Sequence, residues 1–265
     1  MWDDPVLYDL ENADDPAFDL GFWTWLLESL RPRRVLELAA GTGRLTLPLA
    51  ALGVAEEIVA LDSSATFLDR ARERYTTNGA STSDSPRPTA VTFVEGDMRT
   101  PAVEGLFDLV AIPFNSLAYV LTPRDRAAVL RSSRALLGPG GRFAFDVIAP
   151  RYDFLSEALD PTPVEHVDVD HAAPELGAQR LTRTYIDRYD PSTQILESTN
   201  RYEITWLDGR VEHREIELAW HIAFPAQLES ELAAAGLRVV ERYGGWDREP
   251  WGPAARRIIW ICEAA

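Results

Sequence analysis

The sequence predicts an α/β protein, in which a mostly parallel β-sheet has helices on both faces and carries an inserted antiparallel β-sheet. Short apolar runs alternate with amphipathic segments of helical length over residues 17–150. Hydrophobicity with a period of two follows over residues 164–224, before a further helix and two closing apolar runs. Alternating strands and helices are typical of a parallel sheet that is buried on both faces.

The elements of the parallel sheet are predicted in order. A first helix over residues 17–30 has Phe18, Phe22, Trp25 and Leu26 at helical spacing and ends at an Arg-Pro pair. Apolar runs predict strands over residues 35–38, 57–61, 91–94, 107–112 and 142–148. Helices are predicted to begin near residue 45 and to cover residues 63–75 and 125–137. Residues 76–89, rich in Ser, Thr, Pro and Asn, predict a mobile surface loop.

The pattern changes after residue 150. Long strands are predicted over residues 180–190, 194–207 and 210–223, and the Asp208-Gly209 pair predicts a hairpin turn. In the last of these strands one face is apolar and the other polar; His213, Glu215, Glu217 and His221 share the polar face. A helix over 225–235 and strands over 237–243 and 257–262 close the chain. We therefore expect one domain over 1–150 and 224–265, with an inserted antiparallel subdomain over 151–223 that covers the active site.

Composition excludes several functions. A formal net charge of −16 repels a polyanion, so nucleic acid is not expected as a partner. All 26 basic residues are arginine, which excludes lysine Schiff-base chemistry. No apolar run is long enough for a membrane span, and a secretory signal is not expected. The single cysteine, Cys262, excludes an intrachain disulfide, which fits a cytoplasmic location.

Polar side chains follow the predicted strands at one edge of the sheet, where open α/β sheets bind their ligands. Glu37, Asp62, Asp97 and Asn115 all lie at or just beyond strand ends. The first strand leads into a glycine turn, where missing Cβ atoms allow a ligand to approach the backbone. A dinucleotide site would need a third glycine, but that position is Thr46. The turn alone leaves a nicotinamide cofactor and S-adenosylmethionine (SAM) both open.

Five segments in order resemble the class I SAM-dependent methyltransferases over nearly the full length of the chain. They are the glycine turn E-L-A-A-G-T-G from residue 37, the aspartate at residue 62, E-G-D-M from residue 95, F-D-L-V followed by F-N-S-L around residues 107–117, and L-G-P-G-G-R-F from residue 137. The resemblance implies a Rossmann-like, seven-stranded sheet and SAM as the cofactor. One departure is Ala39, where the family pattern has glycine.

The resemblance also implies residue roles. Glu37 would balance the ligand's amino group, Asp62 would accept from the ribose hydroxyls, and Asp97 and Met98 would contact the adenine. The complete set of implied cofactor contacts is Tyr8, Glu37, Ala39, Gly41, Gly43, Asp62, Ser63, Asp97, Met98 and Pro113. No metal is expected, although His166, Asp168, Asp170 and His171 cluster in sequence.

Within the family, the inserted sheet resembles that of small-molecule N-methyltransferases, including the glycine and amino-sugar enzymes. There the insertion and the N-terminal segment close over the methyl donor, which here implies roles for Trp2, Tyr8 and aromatic residues of the sheet. Tyr8 and Asn115 are the candidates for positioning the reactants. A small-molecule amine is the expected acceptor; an oxygen acceptor and a non-catalytic SAM-binding module are the alternatives. Relatives often carry histidine where this sequence has Tyr119.

Overall fold

The structure is a computed structural model that describes residues 4–13, 18–79, 89–160 and 162–265. Trp2 and most of the predicted loop over 76–89 lie outside these residues. The chain forms two compact units, one around a seven-stranded sheet and the other around a four-stranded sheet.

The first unit contains the mostly parallel sheet that the sequence predicts. Its strands are β1 (Arg34–Leu38), β2 (Glu57–Asp62), β3 (Ala90–Glu95), β4 (Phe107–Ile112), β5 (Leu137–Ile148), β10 (Leu237–Tyr243) and β11 (Arg257–Ala264). Their order across the sheet is β10-β11-β5-β4-β1-β2-β3, and β11 runs antiparallel to both of its neighbours. The carboxyl ends of β1, β2, β4 and β5 therefore share one edge, as the sequence predicts for its polar residues.

Helices cover both faces of this sheet. They are α2 (Leu20–Leu30), α3 (Thr46–Ala51), α4 (Ala65–Arg74), α5 (Pro123–Leu136) and α7 (Pro225–Ala234). Alternation along β1 divides the core in two, since Leu36 and Leu38 join one buried cluster and Val35 joins the other. Local signals fix the helix starts: Ser64 caps α4 with its side chain, and Thr122 caps α5 just before Pro123.

The second unit is the antiparallel sheet, in the order β6-β7-β8-β9. Its strands are β6 (His166–Ala173), β7 (Ala178–Asp190), β8 (Ile195–Trp206) and β9 (Val211–His221), and helix α6 (Tyr152–Ala158) precedes them. The predicted hairpin turn joins β8 to β9, where Gly209 has a φ of 85°. Leu218 on β9 is buried and His213, Glu215 and Glu217 are exposed, as predicted, but His221 is buried at the strand end.

Several predicted boundaries were wrong. Helix α2 begins at Leu20 rather than at residue 17, because the backbone at Phe18 and Asp19 forms a turn. Strand β5 begins at Leu137 rather than at residue 142, because Phe107 on β4 pairs with Leu137. Helix α4 continues as a π-helical turn, Tyr75–Gly79, into the region predicted as a loop.

The N-terminal segment also differs from prediction. Residues 4–13 contain an unpredicted helix, α1 (Pro5–Glu11), and group with the four-stranded sheet rather than with the first domain. The reason is apolar packing, because Leu7 and Leu10 are buried against sheet residues that include Leu181 and Ile204. Among the described residues, no helix is long and apolar enough to cross a membrane.

Candidate active site

The glycine turn between β1 and α3 has the backbone that the sequence predicts. Gly41 and Gly43 have φ values of 59° and 75°, in the left-handed region that glycine enters without strain. At Gly43 a Cβ would also lie 3.1 Å from Leu47 Cγ. Ala39, which stands where the family pattern has glycine, has a φ of 60°, so it is held in a conformation that disfavours a side chain.

Asp62 ties the glycine turn to the end of β2. Its Oδ2 accepts a hydrogen bond from Gly41 N at 2.8 Å, and its Oδ1 accepts one from Ser64 N at 2.8 Å. Burial raises the pKa of this carboxyl, while the backbone N–H groups of Ser64, Gly41 and Ser63 oppose that shift. Each carboxylate oxygen has a second lone pair, so Asp62 can still accept from a diol.

Glu37 is a buried carboxyl under the turn, 3% exposed. Its Oε2 accepts a hydrogen bond from the Thr46 hydroxyl at 2.6 Å. Burial raises the pKa of Glu37 to about 7, while the Thr46 hydroxyl and the Arg44 charge lower it. Thr46, the residue that replaces the third glycine of a dinucleotide site, thus orients this carboxyl.

A buried ion pair lies beside Glu37. Arg44 donates to Asp19 in a two-pronged pair, with Nη1 to Oδ1 at 2.6 Å and Nη2 to Oδ2 at 2.8 Å. The Arg44 guanidinium also lies 5.1 Å from the ring centre of Phe18 and 4.7 Å from that of Phe114. Arg44 therefore joins the glycine turn to the segment before α2 and to the end of β4.

The turn after β4 is fixed by β5. Asp146, fully buried, accepts hydrogen bonds from Phe114 N at 2.6 Å and Asn115 N at 2.9 Å, and pairs with Arg257. The Asn115 Oδ1 accepts from the N–H of Ile148 at 2.9 Å. This last bond fixes the orientation of the Asn115 amide, because only its oxygen can accept. The Pro113 carbonyl accepts from the Ser116 hydroxyl at 2.6 Å.

Asp97 and Met98 follow β3. Asp97 is half-exposed and pairs with Arg99, which lowers the pKa of Asp97 by hydrogen bonding. Arg99 also lies 3.3 Å from Asp125 on α5. Met98 is partly buried against the core. Contacts of Asp97 and Met98 with an adenine stay a prediction.

The other candidates lie in the four-stranded unit. Tyr8 is on α1, and its role at the cofactor stays a prediction. The acidic and histidine residues on β6 are separately paired: His166 with Glu157, Asp168 with Arg183, and Asp170 with Arg180, while His171 bonds to the Leu10 carbonyl. Among the residues with described positions, no three potential metal ligands come together.

Sequence reasoning missed four charged residues at this edge: Asp19, Arg44, Asp146 and Arg257. The sequence positions of two of them could have indicated a role in the site, since Arg44 directly follows the glycine turn and Asp146 lies near the end of a predicted strand. Asp19 and Arg257 had none, because their partners are 25 and 111 residues away along the chain.

Comparison with known proteins finds methyltransferases. A model described as "Methyltransferase domain" matches residues 35–141. The cypemycin N-terminal methyltransferase of a Streptomyces species is 27% identical over 272 residues, 98% of each chain. The demethylmenaquinone methyltransferase of Thermus thermophilus is 29% identical, covering 78% of this chain and 76% of that protein. The match to the C-methyltransferase UbiE of Proteus mirabilis, 32% identical, spans only about half of either chain, 49%.

Solved structures share the whole fold. A SAM-dependent methyltransferase from Clostridium acetobutylicum superposes with a TM-score of 0.78 at 17% identity, over 98% of this chain and 96% of that one. The sugar N-methyltransferase KedS8 of a Streptoalloteichus species gives 0.65 at 20% identity, over 100% and 96%. The glycopeptide N-methyltransferase MtfA, complexed with sinefungin, gives 0.54 at 26% identity, over 94% of each chain. Residues 35–141 thus match a methyltransferase domain, and the chain shares the fold of SAM-dependent methyltransferases over nearly its full length, which supports SAM as the cofactor.

The residues at the sheet edge fit this cofactor. Three buried carboxyls lie here, those of Asp19, Glu37 and Asp146; Asp19 pairs with Arg44 and Asp146 pairs with Arg257. A carboxyl without its own cation, beside an open glycine turn, suits a ligand that carries positive charge. SAM carries both a sulfonium and an amino group.

Proposed function

We propose that this protein transfers a methyl group from SAM to a small-molecule acceptor, with an amine nitrogen as the acceptor atom. The observation that carries the proposal is the buried carboxyl of Glu37 under the glycine turn, which suits a ligand that carries positive charge. The match to the cypemycin N-terminal methyltransferase over 98% of both chains supports nitrogen. The 26% identity with MtfA, a glycopeptide N-methyltransferase, adds to that support.

The cofactor supplies an activated methyl group, so the chain has mainly to bind, orient and exclude water. We assign the cofactor to Glu37, Ala39, Gly41, Gly43, Asp62, Ser63, Asp97, Met98 and Pro113, with Tyr8 contributed by α1. Asp62 would hold the ribose by accepting from its hydroxyls. Glu37 would face the positively charged end of the ligand. The Asn115 amide nitrogen, a donor by orientation, would bind an oxygen atom of the acceptor or cofactor.

The seven-stranded unit contains no histidine and no lysine, which favours an amine over a hydroxyl. A hydroxyl acceptor benefits from a general base, whereas an amine needs only to be uncharged. All four histidines lie between residues 166 and 221, in the four-stranded unit, and the chain has no lysine. An oxygen acceptor is the second candidate. Carbon is a third, because the UbiE relative is a C-methyltransferase.

The acceptor class can be tested directly. The purified protein would be incubated with methyl-labelled SAM and three matched sets of small molecules: amino sugars and free amino acids, their hydroxyl analogues, and quinols. We expect labelled product from the amines at a pH where they are partly neutral, and none from the hydroxyl analogues. Labelled hydroxyl or quinol products would contradict the nitrogen assignment. SAM binding without turnover across these sets and across cell extracts would favour a non-catalytic module.

The ribose assignment has its own test. Asp62→Asn keeps one acceptor oxygen for the backbone but loses the paired lone pairs of the carboxylate. We expect SAM affinity to fall by about 1–3 kcal/mol, measured by calorimetric titration. Asp69→Asn, at an exposed position on α4, is the matched control and should bind as the unaltered protein does. Equal affinity in both variants would refute the assignment.

We further propose a cytoplasmic enzyme without nucleic-acid partners. The lone cysteine, Cys262, is buried, so the fold uses no disulfide that would need an oxidising compartment. The net charge of −16 opposes binding to polyanions.

A further inference from the structure

The turn after β4 holds two neighbouring residues in an uncommon backbone conformation. Phe114 has a φ of 59° and Asn115 a φ of 60°. Among the described residues these are the only adjacent non-glycine residues with positive φ. Asparagine enters this region more readily than other side chains with a Cβ, but phenylalanine rarely does, and such strain concentrates at ligand-binding sites.

A single carboxylate imposes this conformation. The two oxygens of Asp146 accept separately from Phe114 N at 2.6 Å and Asn115 N at 2.9 Å. A carboxylate can satisfy both donors at once. An amide in its place has only one oxygen, so its NH₂ group would face the second backbone N–H.

Arg257 completes the arrangement from the neighbouring strand β11. It pairs with Asp146, which is fully buried, and its guanidinium lies 4.8 Å from the ring centre of Trp246. Phe18 lies 5.9 Å from the Trp246 ring and 5.5 Å from the Phe114 ring, between ring centres. A continuous series of contacts therefore runs from the turn through Asp146, Arg257, Trp246 and Phe18 and returns to Phe114 in the turn.

We propose that Asp146, together with Arg257, is a positioning pair that holds the turn from Pro113 to Asn115 in the conformation that binds SAM. The proposal rests on the cofactor role assigned to this strand end under the proposed function. The pair touches no ligand itself. It fixes the backbone next to Pro113 and, through the bond between Asn115 and Ile148, the direction of the Asn115 amide.

The test is calorimetric titration with SAM and with S-adenosylhomocysteine. Asp146→Asn should bind both ligands roughly tenfold or more weakly, because the turn loses one of its two anchors. Glu231→Gln is the matched control: Glu231 pairs with the buried Arg126 at 3.0 Å, between α7 and α5 in the same unit. It should lower the melting temperature comparably and leave the affinity within about twofold, a difference of about 0.4 kcal/mol.

A second pair of variants covers the case in which Asp146→Asn does not fold. Arg257→Lys keeps the positive charge beside Asp146 and should retain most of the affinity, whereas Arg257→Met should lose it. All titrations are made at a temperature where circular dichroism shows the variant folded.

The outcomes separate two failures. If the unaltered protein binds no SAM, the cofactor assignment itself fails. If the unaltered protein binds SAM and the folded Asp146→Asn and Arg257→Met variants bind equally well, the positioning role is overturned. In that case Asp146 and Arg257 stabilise the fold only.

Discussion

At the scale of single residues, the surroundings shift the pKa values of two carboxyls at the sheet edge in opposite directions. Burial raises the pKa of Glu37 to about 7, although the nearby Arg44 charge opposes the shift. Asp97 is half-exposed, and its pairing with Arg99 lowers its pKa. Of the two carboxyls assigned to one cofactor, only one should therefore change its charge near neutral pH. Asp97 stays ionised, whereas Glu37 titrates.

Glu37 should make SAM binding depend on pH. A cation beside Glu37 binds its ionised form better, so affinity should rise by roughly tenfold between pH 5.5 and pH 7.5. Calorimetric titration across this range measures the effect. Glu37→Gln should bind weakly at every pH and remove the slope, whereas the exposed Glu56→Gln should preserve it. A slope that survives in Glu37→Gln would assign the titration to another group.

The same carboxyl should make folding stability fall as pH rises, whereas SAM affinity should rise. The pKa of Glu37 is higher in the folded chain, about 7, than its ordinary value of 4.5, so the native state binds more protons between these values. The free energy of unfolding therefore falls as pH rises from 4.5 to 7. Without ligand, Glu37→Gln should raise that free energy at pH 8 by up to about 3 kcal/mol. Urea denaturation at pH 5 and pH 8 measures the difference, which should shrink at pH 5.

Replacing Ala39 with glycine should make the folded protein more stable. With its φ at 60°, it carries a backbone cost that glycine avoids. Ala39→Gly should stabilise the protein by about 0.5–1 kcal/mol, since part of the gain is lost to the greater freedom of glycine in the unfolded chain. Thermal denaturation measures this. Ala51→Gly, at the end of α3, should destabilise instead; a loss of stability in Ala39→Gly would mean that its Cβ makes a necessary contact.

At the scale of elements, α1 depends on the sheet that it packs against. It has seven residues, too few for a stable helix in isolation, and only the capping carboxylate of Asp4 and the following Pro5 mark its start. Its last residue, Glu11, pairs with Arg183 on β7 and accepts from the Tyr202 hydroxyl at 2.7 Å. The sequence could not predict this helix, because these partners lie more than 170 residues away.

Breaking this pair should release α1. Arg183→Met leaves a buried carboxylate without its cation, which costs about 3–5 kcal/mol. Hydrogen exchange of the amides in α1 should accelerate strongly. Arg180→Met is the control, because its pair with Asp170 is exposed and contributes less than about 1 kcal/mol. Unchanged exchange in Arg183→Met would show that apolar packing of Leu7 and Leu10 holds the helix unaided.

At the scale of the whole molecule, Cys262 can report on the unit around the seven-stranded sheet. It is fully buried on β11, between β5 and β10, and burial raises the pKa of its thiol to about 12. A buried neutral thiol is inert to disulfide reagents. Labelling should therefore follow the unfolding of this unit, and saturating SAM should slow it in proportion to its binding. Rapid labelling of the folded protein would contradict the burial.

The sequence by itself determined the α/β class, most of the strands, the glycine turn and the strand-end residues Glu37, Asp62, Asp97 and Asn115. These are local signals, since hydrophobic period and turn residues act within a few positions of one another. Tertiary structure alone decided the start of β5, the place of α1, and the pairing of Asp146 with Arg257 and Arg44 with Asp19. Such pairs join residues that only the folded sheet brings together. Their energy depends on burial, which the local sequence pattern does not predict.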